Sequence, residues 1–101
     1  MAKLIVFDEV SAFIEDLERD TRSKIYASLE FLAVGKIDTI LVKPIKGKIK
    51  ELSVKQYRIL FCHVGEIIYA IITFKKQRKK TPRRIIEHAE RIYRNIVELQ
   101  N

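Results

Sequence analysis

The hydrophobic period of the chain changes twice, and those changes narrow the folds open to it. Between Val10 and Ala33 the apolar residues recur at helical spacing. Val10, Phe13, Ile14 and Leu17 form one stripe, and Ile25, Leu29 and Leu32, flanked by Tyr26 and Ala33, form another. From Lys48 to Phe74 the pattern is that of strands, with β-branched and aromatic residues prominent. After Pro82 it returns to a helical stripe of Ile85, Ile86, Ala89, Ile92, Tyr93 and Ile96. Helices, then strands, then a helix within 101 residues predict one α+β layered domain spanning residues 1–101.

Local signals set the expected boundaries. Lys3 to Phe7 reads as an N-terminal strand buried on both faces or nearly so. Asp8 or Ser11 is placed to cap the first helix, and a second helix begins near Thr21 and ends at Gly35 in a left-handed conformation, making a helical hairpin. Residues 36–47, with Pro44 and Gly47, read as a connector. Lys48–Val54, Gln56–Val64 and Ile67–Phe74 then form a three-stranded antiparallel meander with a tight turn at Val64-Gly65-Glu66. Strand alternation puts Gln56, Arg58, Leu60 and Cys62 on one face of the middle strand and Tyr57, Ile59, Phe61 and His63 on the other. Thr81 is placed to cap a C-terminal helix with Pro82 at its first position. A lone Cys62 permits no internal disulfide, which fits a reducing cytoplasm. No apolar run approaches the roughly 18 residues of a membrane span, so no membrane role is expected.

The net charge of +7 is unevenly divided. Residues 1–42 hold five Lys/Arg against eight Asp/Glu, a balance of −3, whereas residues 43–101 hold fifteen against five, a balance of +10. Clustered cations displace condensed counterions from a phosphate backbone, so nucleic acid is the leading partner class. The densest stretch is KKQRKKTPRR, Lys75 to Arg84, in which seven of ten residues are Lys or Arg and none suits a core. It is expected to be exposed.

Four pieces of local sequence occur in an order and spacing that resembles the RelE/ParE superfamily of bacterial toxins, and within it the HigB-like, phage-derived branch. They are Ile45-Lys46-Gly47, Glu51-Leu52, Tyr57-Arg58 and the Lys-Lys…Thr-Pro segment from Lys75 to Pro82. The resemblance covers almost the whole chain. It implies a RelE-like fold and a cytoplasmic toxin that cleaves messenger RNA, in many members on the translating ribosome. It also implies neutralisation by a cognate antitoxin, usually of helix-turn-helix type. Arg58 matches the family's Tyr-Arg position, where an arginine contacts the scissile phosphate, and Lys76 and Arg78 lie where the family places further phosphate-contacting cations. Two departures stand out: Ser53 follows Glu-Leu where many HigB-like sequences have Arg, and the start of the last helix lacks the Tyr of some RelE members.

The chemistry can be weighed from the residues themselves. Cleaving RNA without a metal requires activation of the 2′-hydroxyl, cationic stabilisation of the phosphorane and protonation of the leaving 5′-oxygen. No metal-ligand cluster is evident, so no metal or cofactor is called for. His63 and His88 are not paired and are read as structural, which leaves acid–base work to Lys, Arg, Glu or Tyr. Arg58 is a fixed cation on an otherwise apolar strand; the plain alternative is a pair with Glu51. Glu51 is a base or, more safely, a group that orients Arg58. Lys46, Lys48 and Lys50, with Lys75 and Lys79, are candidates for an RNA-backbone track. Tyr57 and Tyr69 are read as core rather than as base-stacking platforms. Two other functions remain open: a ParE-like inhibitor of DNA gyrase, and a degenerate, non-catalytic protein that only binds an antitoxin.

Overall fold

The computed structural model describes residues 2–100. The elements run β1 (Lys3–Val6), α1 (Asp8–Glu15), α2 (Arg19–Ala33), a 3-10 turn (Ile37–Thr39), β2 (Leu41–Lys46), β3 (Ile49–Val54), β4 (Tyr57–Val64), β5 (Ile67–Lys75) and α3 (Arg83–Gln100). The five strands form one sheet in the order β1-β5-β4-β3-β2, with β1 parallel to β5 and the rest antiparallel. This α+β arrangement is compatible with a RelE-like fold.

The sheet divides two apolar clusters. Ile59, Phe61, Leu52 and Val54 pack with Val10, Ile14, Ile25 and Leu29 of the helical hairpin. Leu60, Cys62 and Ile49 pack with Ala89 and Ile96 of α3. Arg58, Leu60 and Cys62 therefore lie on the α3 face, as alternation along β4 predicts. Fully burying a side chain such as Leu60 contributes about 1.5–3 kcal/mol, and each cluster draws buried residues from both the sheet and its covering helices.

Five expectations are corrected. Residues 36–47 are not a plain connector: they contain β2, so the meander has four strands. Pro44 and two lysines obscured the strand pattern. Proline is tolerated there because β2 is an edge strand, where a missing donor breaks no second ladder. β1 is also an edge strand, with Leu4, Ile5 and Val6 only half-buried. The first helix begins at Asp8 without a side-chain cap, and α2 begins at Arg19 because Glu18 accepts a hydrogen bond from the Asp20 amide at 2.8 Å. Thr81 does not cap α3 with its hydroxyl; that group is directed to Glu51.

Gly35 does end α2. At φ +81° it lets its own amide reach Leu32 O at 3.3 Å while the Lys36 amide reaches Phe31 O at 2.9 Å, the paired bonds of a Schellman closure.

Cys62 is fully buried, and desolvation pushes its thiol up to about 11. At pH 8, three units lower, only about one thiol in a thousand would be ionised. The folded protein is expected to resist a thiol-specific disulfide reagent at pH 8 and to react fully once unfolded in guanidinium. Rapid modification of the native chain would contradict this burial.

Candidate nucleic-acid interface

The site begins with a carboxylate in an unusual place. Glu51 on β3 pairs across the ladder with Leu60 and is diagonal to Arg58, which is opposite Ser53. Its side chain is wholly buried. Three groups meet it: the Thr81 hydroxyl donates to Oε2, and Arg58 Nε and Lys43 Nζ each stand 3.7 Å from Oε1. That separation is too long for a hydrogen bond, so the Arg58 and Lys43 contacts are electrostatic, and neither Oε1 nor Arg58 Nε finds a hydrogen-bond partner.

Arg58 is held on two further sides. Its Nη1 donates to the carbonyls of Lys55 and Tyr57, both at 2.8 Å, and only 16% of its side chain is exposed. The pair with Glu51 that the sequence offered as the plain alternative is thus present. Nη2 takes part in none of these contacts. Glu51, having no exposed surface, offers an attacking hydroxyl no path to its oxygens. Of base and orienter, the geometry supports the orienter.

The basic run leaves the sheet beside this pair. Lys76 N donates to Gln56 O at 2.7 Å, which ties the start of the loop to the β3–β4 turn. Thr81, 9% exposed, ties its end to Glu51. The stretch expected to hold no buried residue is therefore pinned by one. Pro82 O then accepts from the amides of Ile85 and Ile86, opening α3.

Between the loop, the first turn of α3 and Phe13 of α1 lies a cavity of about 690 Å³. Six of its lining residues are cations: Lys75, Lys76 and Arg78 from the run as anticipated, and Lys80, Arg83 and Arg84, which sequence reasoning did not single out. A signal for the last two was available. Arg83 and Arg84 occupy the first turn of α3, which has no acidic residue, so they oppose the positive end of the helix dipole. A helix that starts on two arginines is less stable alone and better suited to an anion.

Other candidates are dispersed. Lys79 is exposed outside the cavity lining, and Lys48 lies in the β2–β3 turn. Lys46 pairs with Glu90 of α3 at 3.4 Å. Lys50 points to the opposite face, where it lines a separate cleft with His63 and Phe61. A single track through Lys46, Lys48 and Lys50 is thus corrected: alternation along β3 sends Lys50 to the hairpin side while Glu51 faces α3. Arg58 and Glu51 do not line the cavity, although Arg58 is registered directly opposite Phe74, which does. What joins Arg58 to the loop is backbone: its register with Phe74 and the Lys76 amide bond to Gln56 O.

Tyr57 packs with the hairpin cluster, and Tyr69 packs on the α3 side, where its hydroxyl accepts from Gln100 Nε2 at 2.6 Å. Both serve as core. His63 and His88 are exposed. Among the described residues no group of three or more His, Cys, Asp or Glu is placed to hold a metal, and no helix is long and apolar enough to cross a membrane.

No curated protein matches the chain at a significant level. A family model described as phage-derived Gp49-like protein (DUF891) matches residues 12–94, which runs from the second half of α1 into α3 and takes in every residue that lines the cation-lined cavity. The chain belongs to this Gp49-like family of phage-derived proteins.

Proposed function

We propose that this chain is the toxin of a toxin–antitoxin module and that it cleaves messenger RNA on the translating ribosome without a metal, in the manner of HigB-like members of the RelE superfamily. The observation that carries the reading is the gathering of six cations around one cavity, with a half-buried arginine on the adjoining strand whose Nη2 takes part in none of its described contacts. Membership in a phage-derived family accords with a toxin-like role at a coarse level.

In this reading the loop cations Lys75, Lys76 and Arg78 grip the RNA backbone. Arg58 meets the charge that accumulates on the phosphorane, and Glu51 holds the guanidinium in place. The 2′-hydroxyl gives its proton to water and its oxygen attacks the adjacent phosphorus, the bond from phosphorus to the 5′-oxygen breaks to leave a 2′,3′-cyclic phosphate, and the departing 5′-oxygen takes a proton from water. Fixed positive charge in a partly enclosed site is worth far more to this transition state than the same charge in water. The cognate antitoxin, a small protein of helix-turn-helix type, neutralises the toxin; acidic character would suit it to a chain of net charge +7.

The chemistry fixes the product ends. RNA cut by the protein on translating ribosomes is expected to carry a 2′,3′-cyclic phosphate upstream and a free 5′-hydroxyl downstream, so that the downstream fragment is labelled by polynucleotide kinase without prior phosphatase. Fragments bearing 5′-phosphates would contradict transesterification. Intact RNA together with stalled DNA gyrase would favour the ParE-like alternative.

A further inference from the structure

We infer that the cation-lined cavity seats one unpaired RNA base, with Phe13 of α1 as its stacking surface and the Gln77 amide at its polar edge. The inference rests on the RNA-binding reading above and names which part of the RNA enters.

Phe13 is the observation that calls for it. On α1 the buried residues are Val10 and Ile14, and Phe13 packs into neither apolar cluster although it belongs to the helix's apolar stripe. It is half-buried and lines the cavity instead. Its ring meets Tyr57 edge to face, with centroids 5.9 Å apart and an interplanar angle of 75°. Such a contact fixes the tilt of a ring and engages at most one of its faces, so one face of Phe13 is not used by Tyr57.

The backbone makes the room. β1 ends at Val6, opposite Ala70, so β5 has no partner strand on that edge from Ile71 onward. A bulge at the same point, where Leu60 pairs with Ile72 and Phe61 with Ala70, turns the strand away from regular pairing. Bulges re-aim side chains next to functional sites. Further along that open edge, Thr73, Phe74 and Lys75 line a cavity of about 690 Å³, within the range of about 300–1,000 Å³ that encloses small ligands.

Its polar chemistry suits a nucleotide. The cations meet phosphate, while an aromatic surface beside them has no use for phosphate and is suited to a base. Two uncharged hydrogen-bonding side chains line the cavity, Thr73 and Gln77. The Thr73 hydroxyl spends its one donor on Arg58 O at 3.1 Å, so Gln77 is the uncharged side chain that offers a base edge both a donor and an acceptor. A duplex keeps its bases stacked and paired, so the ligand is single-stranded.

The test uses two short single-stranded oligonucleotides, one wholly abasic and one abasic except for a single 2-aminopurine. Parent protein is expected to quench the 2-aminopurine fluorescence and to bind that strand about 5- to 150-fold more tightly than the wholly abasic one, the usual range for one stacked base. Phe13→Leu, which keeps apolar bulk, should abolish the quenching and bind the two strands alike, and Phe13→Tyr should restore both. Equal affinity of the parent for the two strands overturns the inference while leaving backbone binding intact, and needs no variant to fold. Failure of the parent to bind either strand at low salt overturns the RNA-binding reading itself, and this inference with it.

Discussion

Glu51→Gln is expected to destabilise the protein by about 3–5 kcal/mol, the usual cost of removing one partner from a buried ion pair. For a domain of this size that lowers the melting temperature by about 12 °C or more. The reason is not the missing attraction. Glu51 is wholly buried and the Arg58 side chain is 16% exposed, so neutralising the carboxylate leaves a guanidinium that cannot shed its proton in a poorly solvated place. Lys43 contributes little, being half exposed. The double variant Glu51→Leu/Arg58→Leu separates the two accounts of this pair. It should be more stable than either single variant, because apolar residues of similar volume often replace a buried pair at no cost. Thermal denaturation of all three variants against the parent measures this. Additive losses would show that Glu51 and Arg58 are not coupled.

Removing loop charge should do the reverse, leaving stability almost untouched and RNA binding severely weakened. Lys76→Ala, Arg78→Ala and Lys80→Ala together neutralise three of the six cavity cations. Every cation that no longer meets a phosphate should lower the slope of log affinity against log salt by about 0.7 for a single strand, so the triple variant's slope should fall by about 2. Arg78 and Lys80 are exposed and Lys76 partly so, hence a change in melting temperature of only a few degrees is expected. Fluorescence anisotropy of a labelled single strand across a salt series checks it. An unchanged slope would mean that the cavity cations do not touch the phosphates.

How much of this could be read in advance differs from element to element, for physical reasons. The helical hairpin, the last three strands and the C-terminal helix announce themselves, because each has one apolar face whose period matches its backbone geometry. β2 does not, since an edge strand that holds Pro44 between Lys43 and Lys46 has little apolar face to show. In the site, the grouping of Arg58 with Leu60 and Cys62 on one face of β4 followed from strand alternation alone, whereas the packing of α3 on that face came from the structure. The roles of Thr81 and Lys43 did not. Both act through Glu51, thirty residues from one and eight from the other, and only the β2–β3 register and the path of the loop bring them together. Lys50 failed for the opposite reason: neighbouring letters in a strand point to opposite faces, so lysines close in sequence need not share a surface. Arg83 and Arg84 carried a readable signal in their unfavourable position at a helix start.

If the loop cations act on RNA phosphate during cleavage, the most direct measurement is the rate of messenger RNA cleavage on translating ribosomes, followed by primer extension. The parent should cut, and Lys76→Ala/Arg78→Ala should cut about a hundredfold more slowly or worse while melting within a few degrees of the parent. Cleavage by the folded double variant at the parent's rate, or no cleavage by the parent, would contradict the account.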